Sequence, residues 1–445
     1  MPRPTVASLF AALLLVLAAP AARAETGFLR AFGSEGAGPG QFALPDGIAV
    51  DDAGTIWVAD RDNNRILRFA NDGTPRPFAA LPRRHRSAAP GRFNLPYDVD
   101  VDGLGNIYVA DTHNHRIQVF SPAGRLLRMW GRNGGDGTAG RGDGEFDQPR
   151  DLTLDPFGNV WVADHENKRV QKFTARGRFL GRFGANGGDG TLGGAPGEFN
   201  SPRGLSTDAT GNVYVADDAN HRIQKLANDG TVLAVFGRNG GGYDQAGTEP
   251  GAFALPYGTA VDPRGGLWVA DTNNDRVVWM TTSGDFVRFF GANGGDGTAG
   301  DGPLEFEHPY NVATDCVGNV YVTDEDNHRV QVIGDPAFGR PVCPPRLTVS
   351  GEGADLRERT VELDAACDRP CRVLARATVR LRGSKPVRVR SARRVLAGPG
   401  TVHLAIRVPS RVDADEVQGK VALAVTASGP PGADRTVRRS VAGER

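Results

Sequence analysis

Across residues 45–69 the chain cycles through short apolar runs and polar turns. Gly47-Ile48-Ala49-Val50 is ended by Asp51-Asp52-Ala53-Gly54, where Asp caps its own backbone and Gly takes a positive φ. Ile56-Trp57-Val58-Ala59 follows, apolar on both faces, and such a strand must be covered on both sides. A turn through Asn63-Asn64 leads to Arg65-Ile66-Leu67-Arg68-Phe69, and Asp72-Gly73 turns toward a fourth, outer run. The pattern predicts a unit of four short strands.

The unit recurs. Its opening proline stands at Pro45, Pro96, Pro149, Pro202, Pro256 and Pro309, and its strand-ending aspartate at Asp60, Asp111, Asp164, Asp217, Asp271 and Asp324. Both series step by 51, 53, 53, 54 and 53 residues, a period that predicts propeller blades or a solenoid. Strands apolar on both faces fit blades, because each sheet is sandwiched between its neighbours around an axis. Outer strands read as Leu127-Arg128-Met129-Trp130-Gly131, Leu180-Gly181-Arg182-Phe183-Gly184, Leu233-Ala234-Val235-Phe236-Gly237 and Val287-Arg288-Phe289-Phe290-Gly291. A weaker copy lies at 75–79, and none follows Ile333. Leu29-Arg30-Ala31-Phe32-Gly33, ahead of the first repeat, is therefore expected to supply the sixth outer strand and close the ring.

Past residue 345 the pattern changes to alternation with period two, as in Thr360-Val361-Glu362-Leu363, Ala377-Thr378-Val379-Arg380-Leu381 and Val421-Ala422-Leu423-Ala424-Val425. Six or seven such runs predict a small β-sandwich over 346–445, joined by a linker at 341–345. Charge marks the same boundary. The formal net charge of zero hides 30 Lys+Arg against 41 Asp+Glu over 25–345, and 20 against 11 over 346–445. Residues 1–24 read as a secretory signal, with Arg3, an apolar stretch over 9–19 and Ala22-Arg23-Ala24 as cleavage site. The expectation is a secreted all-β protein: a six-bladed β-propeller over 25–340, then the sandwich, with no transmembrane segment. Cys316, Cys343, Cys367 and Cys371 fit an oxidising compartment and allow three pairings. Sequence distance favours Cys316–Cys343 and Cys367–Cys371. A zinc site on a lone Cys-x-x-x-Cys without a nearby His pair is disfavoured.

Asn114-His115-Arg116, Asn220-His221-Arg222 and Asn327-His328-Arg329 each follow a Val-Ala-Asp or Val-Thr-Asp strand, and Phe-x-x-Pro motifs such as Phe146-Asp147-Gln148-Pro149 lie upstream. These features resemble NHL repeats over about residues 28–333. The resemblance implies a six-bladed propeller but no activity, since such propellers bind proteins, RNA or glycans and a few are enzymes. The C-terminal strands resemble immunoglobulin-like modules appended to exported bacterial proteins.

In a propeller the residue after each repeat proline sits near the channel mouth. Here those residues are Asp46, Tyr97, Arg150, Arg203, Tyr257 and Tyr310, followed by Gly47, Asp98, Asp151, Gly204, Gly258 and Asn311. One ligand would meet six different side chains. Arg150 and Arg203 offer forked donors for a carboxylate, phosphate or sulfate; Tyr257 and Tyr310 offer flat faces for a sugar or peptide side chain. The alternative is that the six merely plug the channel. Resemblance to the peptide-amidating lyase would place zinc-binding histidines directly after alternate prolines, but none of the six positions is His. His113, His115, His165, His221 and His328 lie in or beside the Asn-x-Arg turns and read as turn or packing residues.

Asp98, Asp151 and Asn311 could instead hold Ca²⁺ in the channel, resembling six-bladed lactonase-type hydrolases. The glycine-rich loops, such as Arg132-Asn133-Gly134-Gly135-Asp136-Gly137-Thr138, lack the Lys-Ser/Thr ending of a phosphate loop and are expected to border a partner surface. The Asp60-type and Arg65-type residues occur in all six repeats and are expected to pair structurally. Arg380, Arg382, Arg388, Arg390, Arg393 and Arg394 read as a solvated face, or as a surface for anionic cell-wall polymers or an acidic partner. Nucleic acid is not expected, for no stacking aromatics accompany them. The reading is a binding or sensor propeller for an extracellular protein, peptide or glycan, without a cofactor; its runner-up is a Ca²⁺-assisted hydrolase or lyase.

Overall fold

The computed structural model describes residues 26–51, 53–76, 86–242 and 245–334 in full, and the backbone of strands within 347–444. Six antiparallel sheets stand in a ring. Their first strands, Pro45–Val50, Asp98–Val101, Pro149–Leu154, Pro202–Thr207, Pro256–Val261 and Pro309–Thr314, pack each against the next, and the last against the first. They line the axis. The second strands, such as Ile107–Asp111, are buried throughout because a neighbouring sheet covers each face.

The core is accordingly six seams rather than one centre. One seam joins Trp57 and Ala59 of the first blade to Val99, Ile107 and Phe120 of the second. The next joins Tyr108 and Val119 to Phe146, Val160 and Phe173. The apolar-on-both-faces pattern in the sequence is the record of this packing, with each fully buried side chain worth about 1.5–3 kcal/mol.

The ring closes through its two ends. Gly27–Phe32 pairs antiparallel with Arg329–Gly334, from Gly27 opposite Gly334 to Phe32 opposite Val330. Leu29 and Phe32 pack onto Tyr321, Val330 and Val332 in the seam between the sixth and first blades. The first blade has three regular strands and, beyond them, a bridge from Phe69 to Pro75; residues 77–85 lie outside the described residues.

Among the described residues no helix is long and apolar enough to cross a membrane. Beyond the ring, strands Leu347–Asp355, Thr360–Cys367, Cys371–Leu381, Val387–Arg388, Ala392–Leu396, Gly400–Arg407, Val417–Ser428 and Asp434–Glu444 are paired almost wholly antiparallel. Their side chains lie outside the described residues, as do the signal segment, Cys343 and the linker. Cys316 is disulfide-bonded, to a partner that also lies outside the described side chains.

Candidate functional site

Two repeated devices build the proline end of the ring. The first is a buried staple. In the third blade Asp164 accepts hydrogen bonds from the Asp147 N–H at 2.8 Å, Asn167 Nδ2 at 3.0 Å, Arg169 Nε at 2.7 Å and Gln171 Nε2 at 3.0 Å. The remaining Arg169 nitrogens donate to the carbonyls of Arg141, Gly142, Glu145 and Gly188. One guanidinium thus ties down the glycine-rich loops on both sides of its blade. Asp60 with Arg65, Asp111 with Arg116, Asp217 with Arg222, Asp271 with Arg276 and Asp324 with Arg329 repeat the pairing.

The second device is a latch between blades. The residue before each proline takes a left-handed conformation: Leu44, Leu95, Gln148, Ser201, Leu255 and His308, with φ of 45–68°. In five of these the N–H donates to the turn of the preceding blade. The acceptors are His328 Nδ1 for Leu44, Asn64 Oδ1 for Leu95, His115 Nδ1 for Gln148, His221 Nδ1 for Leu255 and Asp275 Oδ1 for His308. This explains the repeated turn histidines. Pinned by latch and proline, the following side chain is aimed at the axis.

Those side chains surround a cup of about 340 Å³ lined by Arg61, Tyr97, Arg150, Arg203, Tyr257, Tyr310, His308 and Glu325, together with Thr272 and Asn273. Five of the six expected mouth residues line it. The sixth, Asp46, is 1 % exposed and lies beneath, accepting from Arg61 at 3.2 Å. The two arginines differ. Arg203 is spent on the Asp218 carboxylate and on Tyr310 Oη at 2.8 Å. Among the described residues Arg150 makes no ion pair; one terminal nitrogen donates to Gln148 Oε1 at 3.2 Å, and its buried Nε has no partner there. Each sits on a ring, Arg150 4.1 Å from the Tyr97 centroid and Arg203 3.9 Å from that of Tyr257. Of the two tyrosine faces expected to receive a ligand, that of Tyr257 is occupied by Arg203, while Tyr310 stands edge-on to Tyr257 at 4.7 Å.

The cup is blind. Asn311 Nδ2 donates to Asp151 Oδ2 at 3.2 Å, linking the sixth blade to the third across the axis. Asp98 turns into the seam with the third blade, where it accepts the Leu152 N–H at 3.0 Å, and Asp100 does the same for Leu154. Neither Asp98 nor Asp151 is bound by Arg150. Gly47 completes the floor because a Cβ there would meet Asp98 Oδ1 at 2.2 Å and the Tyr97 carbonyl at 2.6 Å. Burial pushes the Asp98 carboxyl up to about 7, against the pull of the Leu152 N–H and with help from Asp100. Burial, then the nearby Asp98, holds Asp151 well above the usual carboxylate range. Asp46 is raised by burial, with Arg61 opposing. His165, buried near the two arginines, is driven down to about 2 by burial and by Arg203 and Arg150, so it stays neutral. Among the described residues no three His, Cys, Asp or Glu side chains gather as a metal-binding group.

Arg61, Asp218, His165 and Glu325 were not among the expected site residues. They occupy one repeated position, directly after the strand-ending aspartate, where the other two blades carry Thr112 and Thr272. It varies from repeat to repeat just as the post-proline position does, and that variation is the signal that marks it.

The NHL repeat model matches residues 42–69, 93–120, 146–173, 199–226, 253–280 and 306–333, so the chain carries six NHL repeats. It is 35% identical over 148 residues to the peptidyl-glycine alpha-amidating monooxygenase A of Xenopus laevis, covering 32% of this chain and 16% of that protein. It is 31% identical over 203 residues to mouse NHL repeat-containing protein 3, covering 42% of this chain and 53% of the relative. The chain thus spans about a sixth of the first relative and about half of the second. A solved structure of a Bacteroides thetaiotaomicron protein of unknown function covers 70% of this chain and 76% of its own, with TM-score 0.51 and 16% identity, a likeness of fold alone.

Proposed function

We propose that this six-repeat propeller is an exported binding protein that takes an acidic peptide group, a carboxylate, into the cup. The observation that carries the reading is Arg150, a guanidinium without an ion pair, stacked on Tyr97 with its buried Nε unpartnered. A planar fork of donors held rigid by an aromatic ring suits the two oxygens of a carboxylate. A peptide is favoured over a glycan because Arg203 covers the Tyr257 ring and Tyr310 is buried edge-on against it, so neither ring is open for a sugar to stack on. The amidating monooxygenase relative is named for a peptidyl-glycine substrate, which agrees with a peptide ligand here.

The test is calorimetric titration with acetyl-trialanine bearing a free carboxylate, its carboxamide, and a galacturonate oligomer. The free acid should bind, the amide should not, and Arg150→Ala should weaken the acid at least roughly tenfold, the worth of one charged hydrogen-bonded contact. Equal affinity for acid and amide, or binding of the uronate alone, would overturn the reading.

A second reading, a Ca²⁺-assisted hydrolase or lyase, rests on Asp98, whose carboxyl is pushed up to about 7 by burial in the seam with the third blade. Asp98, Asp151 and Asn311 would hold the ion. Their oxygens now accept from Leu152 N–H, Asn311 Nδ2 and Val312 N–H, so binding would have to displace those bonds. Turnover lost on chelation and restored by added Ca²⁺ would favour it.

A further inference from the structure

The cup is electrically lopsided. The third and sixth blades face each other, as the Asp151–Asn311 bond across the axis shows. On the side of blades three and four stand Arg150 and Arg203, with Asp218 as the one carboxylate paired to them. On the side of blades six and one, Arg61 alone faces three carboxylates: Asp46 at 3.2 Å, Asp62 at 3.0 Å and Glu325 at 2.7 Å. Asp326 adds a fourth, shared with His308 at 2.6 Å. Counted by groups, that side holds four carboxylates against Arg61 and His308, and the opposite side two guanidiniums with one carboxylate paired to them. The surplus is reachable: Glu325 lines the cup, and the Asp62 and Asp326 side chains are 42% and 40% exposed. Of the exposed acids of the third blade, Glu166 is offset by Lys168 at 3.4 Å and Asp143 by Arg182 at 2.9 Å.

We infer that the cup selects a charge-separated ligand, a peptide whose free carboxylate meets Arg150 while a cationic side chain a residue or two upstream lies on Glu325, Asp326 and Asp62. This rests on the carboxylate reading above and adds a rule for what must flank the carboxylate. A plain anion gains Arg150 but is repelled by the acidic side. A plain cation meets the acids but is repelled by Arg150. Only a ligand carrying both charges is complementary at both poles, and selection by such paired attraction and repulsion is how charged interfaces discriminate.

Three peptides with free α-carboxylates decide it in titrations against the full chain: acetyl-Lys-Ala-Ala, acetyl-Gln-Ala-Ala and acetyl-Glu-Ala-Ala. At low salt the Lys peptide should bind roughly three- to tenfold tighter than the Gln peptide, and the Glu peptide weaker than both, the scale of one or two partly exposed ion pairs. The ratio should shrink toward one at about 0.5 M salt, where screening is short-ranged. Asp326→Asn combined with Asp62→Asn should collapse the Lys-to-Gln ratio. If the three bind alike while Arg150→Ala still abolishes binding, the charge-separation rule is wrong and the carboxylate cup stands. If none binds, both fall together.

Discussion

Two rings of ionic side chains encircle the same end of this propeller, and they obey opposite rules. The staple ring repeats one solution six times: an aspartate saturated by backbone, amide and guanidinium donors, and an arginine whose remaining nitrogens end on carbonyls. The collar ring offers six different solutions, and atoms are left over: among the described residues Arg150 Nε, Asp46 Oδ1, Asp151 Oδ1, Asp218 Oδ1 and His165 Nδ1 are buried without partners, against Asn167 Oδ1 in the staple ring. Buried polar groups are ordinarily satisfied, so a cluster of exceptions needs a cause. Uniformity marks what the fold needs from every blade. Departure from it marks what a ligand needs from the ring as a whole.

The contrast breaks most sharply at a staple. Asp164→Ala leaves Arg169 fully buried with no counter-charge, and removing one partner of a buried pair costs about 3–5 kcal/mol. Urea unfolding should show that loss for Asp164→Ala, while Arg150→Ala, which breaks no ion pair, should change stability by only about 1 kcal/mol. Similar losses for the two would mean that the collar is part of the scaffold after all.

Burial below the cup adds a dependence on pH. Asp98 in the folded chain ionises near 7, whereas in the unfolded chain it does so near its ordinary value of 3.8. The unfolded chain therefore gives up its proton first. The Asp98 contribution to stability should therefore fall as pH rises from about 4 through about 7, by on the order of a few kcal/mol. Asp98→Asn should lessen that slope in denaturation curves taken across the range, with Asp151 and the staple aspartates Asp164, Asp217 and Asp271, raised by burial in the same sense, supplying the remainder. An unchanged slope would show that Asp98 is ionised in its seam.

Much of this was legible in the sequence, and the reasons are physical. Period and two-faced strands announce blades because each sheet is buried on both sides, and the orphan strand near residue 29 announces closure because the sixth repeat lacks its fourth strand. The post-proline positions were legible because five of the six do line the cup. What stayed hidden was the pairing between two different repeat positions. Arg203 reads as a free fork until Asp218 is placed beside it, and Tyr257 as a free face until Arg203 covers it. Asp98 reads as a channel residue, yet the backbone of the third blade draws its carboxylate into the seam. Such contacts join residues of different repeats, and a linear pattern does not state them.

The smallest expected effect sharpens the contrast from the side of the latches, where a repeated job is done by different residues. His115 Nδ1 accepts the Gln148 N–H at 3.1 Å, and Asn64 Oδ1 does the same for Leu95 at 2.8 Å one blade earlier. An imidazole accepts at Nδ1 only while that nitrogen is unprotonated. Burial lowers the His115 pKa below its usual 6.5, with Asp147 at 3.3 Å opposing. The unfolded chain therefore takes up the proton first, so this latch contributes fully above about 6.5 and is lost as pH falls through the lower folded value. His115→Ala should cost about 1 kcal/mol at pH 8, the price of an unsatisfied N–H. His115→Asn, borrowing the first blade's solution in a left-handed position that Asn tolerates, should keep the stability and lose its dependence on acid. Thermal melts of both variants at pH 5 and 8 decide it. If Asn fails where Ala fails, the imidazole is needed for more than its lone pair, and the latch would then belong with the collar.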